Sequence, residues 1–330
     1  MNKKSCTFAL ANDGNVSVAQ QVEHIPFKDG VLGSNPSWNT TAVANNRWLL
    51  FFYYIFSFLY FCTKIQKMVA NFFSKITHVV DGNCYISSDF HLGSFPISES
   101  EAREKRIVNW LTSIENKVDH LFLLGDIFDF WFEYRYVVPK GFYRFFSKLK
   151  ELSERGVHIY FFTGNHDMWV KNYLQEEFGV KIFYSPQYFV INGEICLLGH
   201  GDGLGKGQWG YKCVKRIFAC PLNIFLYGLL PSSWAFGLAN FISRKSRKAN
   251  TKSKHKRKKR HIDEYMLQYI KDFPKDIPVR YFIFGHRHLP LKIELDHSTY
   301  FNTGDWLWHD SYLYFSKHEA PKLYVQSKNY

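Results

Sequence analysis

Leu121-Phe122-Leu123-Leu124-Gly125-Asp126-Ile127-Phe128-Asp129 is the stretch that decides the fold. Its first four residues form an unbroken apolar run, which predicts a short buried strand delivering Asp126 at its end. The same arrangement recurs before and after it. Residues 84–88 lead into Asp89-Phe90-His91, 157–162 into Gly164-Asn165-His166-Asp167, 194–198 into Gly199-His200-Gly201-Asp202, and 279–284 into Gly285-His286-Arg287-His288. Each motif closes an apolar, β-branched or aromatic run. Carboxylate, amide and imidazole groups therefore gather at strand ends, where they can converge on a pair of metal ions.

Between these strands the chain shows helix and hairpin signals. Ser98 or Ser100, followed by glutamates, predicts a helix start, with Ile107, Trp110, Leu111 and Ile114 on one apolar face. Asn192-Gly193 lies between two strand-like runs, a type I′ hairpin signal that puts His200 at the exit of the second strand. Runs at 291–295, 312–315 and 323–325 suggest further antiparallel strands. Strand–helix units mixed with hairpins predict an α/β fold, a two-sheet sandwich flanked by helices.

A chain of 330 residues that is 46% hydrophobic and 19% aromatic can bury a large core, as one large domain or two small ones, and is not disordered. The formal net charge of +13 looks like a nucleic-acid signature only until it is located. Residues 244–260 hold eleven Lys and Arg and no acid, leaving +2 for the rest of the chain. Six cysteines without C-x-x-C spacing fit reduced thiols and argue against a disulfide framework or a zinc ribbon.

Residues 1–67 do not read like the remainder. Residues 17–38 resemble the peptide obtained when a transfer-RNA gene is translated, Gly33-Ser34-Asn35-Pro36 matching one frame of the T-arm. Residues 48–62 are apolar or aromatic apart from Ser57, but about fifteen residues fall short of the roughly 20 that span a bilayer, and they start too far in for a secretory signal. A spurious upstream extension and a genuine anchor are both open. Met68 is the natural alternative start, so the functional domain is expected over 68–330.

Asp-x-His places a hard oxygen and an imidazole on one face of an extended segment, since strand side chains repeat every second residue. His286 and His288 share that spacing. If Asp126 bridges, Asp89, His91 and His288 complete one site and Asn165, His200 and His286 the other, giving mixed N/O shells that suit manganese, iron or zinc. Two such ions about 3.5–4 Å apart clamp the attacking and leaving oxygens of an in-line phosphoryl displacement. Phosphoester hydrolysis is the reaction this set favours.

The ordered motifs from Asp89 to Trp306 resemble the calcineurin-like metallophosphoesterases, whose metal ligands match this assignment position by position. The resemblance implies that His166 donates a proton or contacts phosphate, and that Asp129 orients it. A narrower resemblance rests on Gly125 to Trp131, on His200-Gly201-Asp202-Gly203-Leu204, Tyr211, Lys215 or Arg216, Pro221 and Arg244-Lys245-Ser246. Those residues are similar to the UDP-2,3-diacylglucosamine diphosphatases of lipid A synthesis, which often carry Glu where Asp129 stands and Arg where His166 stands. This implies a helical lid, here 205–262, over acyl chains and uridine diphosphate, and contacts from Asn165, Tyr211, Arg244, Ser246 and His286 to a UDP-linked diacylated glucosamine lipid. Two divalent ions, manganese first and iron or zinc as alternatives, are the implied cofactors.

The lid can also be read from its own residues. Leu222, Phe225, Leu226 and Leu229 fall at i, i+3, i+4 and i+7 before Pro231, and Ser232 or Ser233 can cap a second helix carrying Trp234, Leu238, Phe241 and Ile242. Two apolar helices followed by a basic run suit an acyl-chain pocket beside an anionic membrane surface, on the inner face of a bacterial inner membrane. No protein partner or nucleic acid is expected. Ordinary core packing of the lid, a nucleotide or nucleic-acid phosphodiesterase, and a non-catalytic membrane-binding module are the competing readings.

Overall fold

Burial on both faces is what makes the strands read as unbroken apolar runs. In β3 (His120–Leu124) of the computed structural model, Leu121 and Leu123 pack outward against helices while Phe122 and Leu124 point inward at a second sheet. The described residues are 77–239, 241, 243, 264–274 and 278–326, together with 57, 58 and 60. Most of 1–67, Met68, Ile242, Arg244, Ser246 and the basic run 244–260 lie outside them, as do the expectations attached to those positions.

Two mixed six-stranded sheets face each other. One runs β12 (Lys322–Val325), β11 (Ser311–Phe315), β2 (Cys84–Ser87), β3, β4 (His158–Phe162), β5 (Lys181–Phe183). The other runs β1 (Thr77–Val80), β6 (Gln187–Ile191), β7 (Glu194–Gly199), β8 (Tyr281–Phe284), β10 (Thr299–Thr303), β9 (Pro290–Glu294). Ile86, Phe122, Leu124, Tyr160 and Phe162 of the first sheet meet Phe189, Ile191, Leu198, Ile283 and Phe301 of the second. Helices Ile97–Ile114 and Tyr143–Glu154 cover the first sheet's outer face, and Met266 and Ile270 of helix Glu264–Lys271 cover the second's. This is the helix-flanked α/β sandwich expected from the sequence.

The local signals were of uneven quality. Asn192 and Gly193 both take positive φ, 51° and 85°, as a type I′ turn requires, and the β6–β7 register runs from Ile191↔Glu194 to Gln187↔Leu198. The later strands pair antiparallel as expected, β9 with β10, β11 with β2 and β12 with β11. The helix-capping expectation is corrected. The helix Ile97–Ile114 has Pro96 at its N-cap and no side-chain cap, and the Ser100 hydroxyl instead accepts the Gly93 N–H at 2.7 Å. Its predicted apolar face, Ile107, Trp110, Leu111 and Ile114, is buried.

Among the described residues of 205–243 there are three helical stretches where two were expected. Trp209–Phe218 precedes Pro221–Gly228, and residues 232–239 form a third helical stretch whose first free N–H groups, from Trp234 and Ala235, donate to the Pro231 carbonyl. Trp209, Ile217, Phe225, Leu226, Leu229, Trp234 and Phe241 are each more than half exposed, so ordinary core packing does not account for this segment. Among the described residues no helix is long and apolar enough to cross a membrane.

Candidate metal centre

The parallel strands β2, β3 and β4 end at the same edge as the parallel pair β7 and β8, so five loops meet there. Main-chain bonds stitch two of these loops together: Asp89 N–H to Gly125 O at 3.0 Å, His91 N–H to Asp126 O at 2.9 Å, and Asp129 N–H to Leu92 O at 2.8 Å. The loop after β8 joins them, the His286 N–H donating to Asp89 Oδ2 at 2.9 Å.

The geometry of the Asp-x-His and His-x-His spacings differs from the extended-strand argument. Asp89, His91, Asp126, His286 and His288 all lie in the left-handed region, with φ of 57°, 46°, 53°, 69° and 53°. Each such residue costs on the order of 1–2 kcal/mol. Two-residue spacing therefore works here through successive left-handed turns, beyond the last strand residue, rather than through strand alternation. Strain of this kind persists where surrounding packing enforces it, and it collects at functional sites.

The side chains form overlapping groups whose ligand atoms lie within 4.8 Å of one another: Asp89, His91 and His288; Asp126, His200 and His286; and His91, Asp126 and His166. Asp126 Oδ2 stands between the first two, 3.8 Å from His91 Nε2 and 3.3 Å from His200 Nε2. Its other oxygen accepts the His166 N–H at 2.8 Å. Asp89 Oδ1 lies 3.4 Å from His288 Nε2, while its Oδ2 is held by the Ser88 hydroxyl and the His286 N–H.

Three imidazoles have their Nδ1 engaged by acceptors: His91 by Asp129 Oδ1 at 3.2 Å, His288 by Asp305 Oδ2 at 3.2 Å and His200 by the Leu124 carbonyl at 2.8 Å. That arrangement fixes the tautomer and turns each Nε2 lone pair inward, as metal-ligating histidines require. Asp89 Oδ1, Asn165 Oδ1 and His200 Nε2 are buried with no hydrogen-bond partner. Orphaned buried acceptors of this kind call for a cation, and the Asp, Asn and His set can hold divalent metal ions.

Electrostatics point the same way. Burial pushes the Asp89 carboxyl upward, only partly offset by His288 and His200. Burial opposes ionisation of Asp126 as well, but His200, His166 and His91 outweigh it and hold that carboxyl well below the usual range. Burial pulls His200 down, yet the Asp126 carboxylate 3.3 Å from its Nε2 wins and raises it to about 10, a response to the same negative charge that would draw a cation. Burial lowers His91 and His286 to about 3, which leaves both as neutral donors.

Two glycines are sterically required. A Cβ on Gly164 would sit 2.3 Å from Asp126 Oδ1 and 2.5 Å from its backbone N, and one on Gly125, at φ +84°, would meet Gly164 N at 2.7 Å. Gly164→Ala is therefore expected to displace Asp126 and weaken binding of both ions by about 10-fold or more, the scale of a disturbed ligand support. Metal titration of the purified variant checks this; wild-type affinity at both sites contradicts it.

Tyr211 lies at the rim, its ring 6.2 Å from that of His286, but its hydroxyl donates to Asp202 Oδ2 at 2.8 Å. Lys215 pairs with the same carboxylate, and although burial pushes Asp202 upward, Lys215, His200 and His286 outweigh it and hold it at about 2. Asp167 accepts the N–H groups of Ile127 at 2.8 Å and Gly164 at 2.6 Å, a bracing role for the Asp126 loop. Arg244 and Ser246 lie outside the described residues.

Asp129 stands beside His166 as expected, but its main chain makes the shorter contact. The His166 Nδ1 bonds to the main-chain carbonyl of Asp129 at 2.8 Å, and the Asp129 carboxylate is closer to His91 Nδ1, 3.2 Å, than to His166, 3.6 Å. Sequence reasoning also missed Asp305, fully buried and hydrogen-bonded to both His288 and His309 at 3.2 and 3.0 Å. Gly304-Asp305-Trp306 after β10 repeats the strand–Gly–Asp pattern of Gly125-Asp126, a signal that was available.

A family model for the calcineurin-like phosphoesterases matches residues 83–290, nearly the whole span that carries these groups. The chain belongs to this family. Among related calcineurin-like phosphoesterases, the UDP-2,3-diacylglucosamine hydrolase of Porphyromonas gingivalis is 38% identical over 69% of this chain and 92% of its own length. That of Stutzerimonas stutzeri is 29% identical over 63% and 83%. A looser likeness, TM-score 0.36 at 17% identity over 75% of this chain and 93% of the other, is to the Escherichia coli phosphoesterase Yfce. The His/Asp groups fit the dinuclear metal site of this superfamily of hydrolases.

Proposed function

We propose that this phosphoesterase hydrolyses the pyrophosphate bond of UDP-2,3-diacylglucosamine, releasing UMP and 2,3-diacylglucosamine 1-phosphate. The observation that carries the reading is the helical lid beside the metal centre. It exposes a field of large apolar side chains while being tied to both rims of the site, through Tyr211 and Lys215 to Asp202 on one side and through Ser243 to Asp129 on the other. A ligand with acyl chains and a diphosphate matches that juxtaposition. Kinship with hydrolases of that name supports it.

In this reading Asp89, His91 and His288 hold one divalent ion, Asn165, His200 and His286 the other, and Asp126 Oδ2, which faces both groups, is shared. Manganese, iron or zinc suit these mixed N/O donors. When bound, the ions supply positive charge that polarises the phosphoryl oxygens. His166, with Nδ1 committed to the Asp129 carbonyl, presents Nε2 as the atom that steadies charge or hands a proton to the departing phosphate. Tyr211 is taken as a substrate contact in a lid spanning 205–262, with Arg244 and Ser246 as further contacts by motif resemblance. The basic run 244–260 draws the lid to an anionic membrane surface, each cation near it adding about 1 kcal/mol.

Replacing Leu226 and Phe241 by polar residues tests this reading. Burying one such side chain against an acyl chain contributes about 1.5–3 kcal/mol. The double variant is therefore expected to lose more than about 10-fold in kcat/KM on the diacylated substrate, and less than about twofold on a small artificial phosphodiester. Equal losses on both substrates would remove the lid from substrate binding and favour a general nucleotide phosphodiesterase.

A further inference from the structure

The Asp129 carboxylate is shared between the metal centre and the lid. Its Oδ1 lies 3.2 Å from His91 Nδ1, and its Oδ2 accepts the Ser243 hydroxyl at 2.8 Å. Ser243 sits more than a hundred positions along the chain, in the helical stretch that follows Pro231. The Asp129 carboxylate faces His91 Nδ1, so that nitrogen donates the ring's proton to it and Nε2 is the atom turned toward Asp89, Asp126 and His288. Nothing in the resemblance of the motifs assigns a role to Ser243.

We infer that Ser243 is a positioning residue that couples the seating of the lid to the metal site containing His91. The inference rests on the dinuclear reading of the centre. A carboxylate held by two donors has one favoured rotamer, and that rotamer fixes the plane of the His91 imidazole. When the lid lifts, as entry of a large amphiphile requires, Oδ2 loses the Ser243 hydroxyl and the brace on the His91 ring is weakened. Linkage makes the effect reciprocal: a metal that needs an oriented His91 favours the seated lid by the same factor by which the seated lid favours the metal.

The lid has other attachments, which set the expected size. The Trp169 Nε1–H donates to the Phe218 carbonyl at 2.9 Å, and Tyr227 packs on Phe132 and Trp169 with ring centroids 4.9 Å apart in each pair. Ser243→Ala therefore leaves the lid on the enzyme and removes a bond that reaches the metal site directly, through Asp129. Loss of an outer hydrogen-bond partner of a metal-ligating group typically lowers affinity by about 10–100-fold. Because Ser243 acts through a second residue, the lower end, about 10-fold, is expected, and at one site of the two.

The test uses the full chain, with manganese titrated by calorimetry and cobalt by its visible absorption, alongside hydrogen exchange of the lid with and without metal. Wild-type protein is expected to bind two ions and to show slower lid exchange when loaded. Ser243→Ala is expected to weaken one ion about 10-fold, alter the cobalt spectrum and abolish the metal-dependent slowing, while Ser243→Thr, which keeps the hydroxyl, restores all three. Two ions bound with unchanged affinity, spectrum and lid exchange in Ser243→Ala would overturn the coupling alone. The same deficit in Ser243→Thr would assign the effect to packing and overturn it as well. A wild-type chain that binds fewer than two ions would overturn the dinuclear reading and the coupling with it.

Discussion

Asp126→Ala is expected to abolish turnover and to weaken both metal sites together, whereas Asp89→Ala mainly affects one. The difference follows from position. Asp126 Oδ2 faces His91 at 3.8 Å and His200 at 3.3 Å, one histidine from each group, while the free oxygen of Asp89 faces only His91 and His288. Removing Asp126 also takes away the carboxylate that faces His200 Nε2 at 3.3 Å in a buried setting, so the second site loses a ligand as well. Metal analysis of the variant decides the matter, and retention of two ions at wild-type affinity contradicts the shared-carboxylate assignment.

The second large effect is at His166. Its ring packs edge-on against His91 at 4.8 Å, its Nδ1 is fixed by the Asp129 carbonyl, and its side chain is 27% exposed, open to the space a substrate would occupy. A group that transfers a proton or steadies charge in the transition state contributes about 10²–10⁴-fold, so His166→Ala is expected to lower kcat by that range with both metals retained. Because His166 can also join His91 and Asp126 around one point, loss of an ion in this variant would make it a ligand instead. Asp129→Asn should behave differently from the expectation drawn from sequence, weakening the His91 site through the lost carboxylate rather than reproducing a mild His166 defect.

Legibility in the sequence followed physical locality. The strand bearing Leu121 to Leu124 was readable because burial on both faces selects an unbroken apolar run, and the helix bearing Trp110 because its apolar face repeats at helical spacing. β10 was not readable. Thr299-Tyr300-Phe301-Asn302-Thr303 looks half polar, yet every residue is buried, with Asn302 Nδ2 donating to the Gly285 carbonyl at 2.6 Å and Thr303 sharing a hydrogen bond with Ser88. Polar groups satisfied by distant partners hide a core strand from any local pattern.

The candidate site shows the same division. The types and order of Asp89, His91, Asp126, Asn165, His200, His286 and His288 follow from their motifs, and the structure brings them to one edge. Which acceptor holds which imidazole depends on the fold. Asp129 lies near His166 through its main chain and near His91 through its side chain, a choice made by the left-handed turns at His91 and Asp126. The lid's additional helix, Trp209–Phe218, escaped notice because its sequence mixes Lys212, Lys215 and Arg216 with apolar residues, and none of its residues is buried.

The most direct test of the central claim is product analysis of UDP-2,3-diacylglucosamine hydrolysed by the metal-loaded enzyme in ¹⁸O-labelled water. Attack on the phosphorus next to uridine predicts UMP carrying the label, unlabelled 2,3-diacylglucosamine 1-phosphate, and loss of both products after chelation with recovery on adding a divalent metal. Turnover of simple nucleotide diesters with no hydrolysis of the lipid, or label appearing in the lipid phosphate, would contradict it.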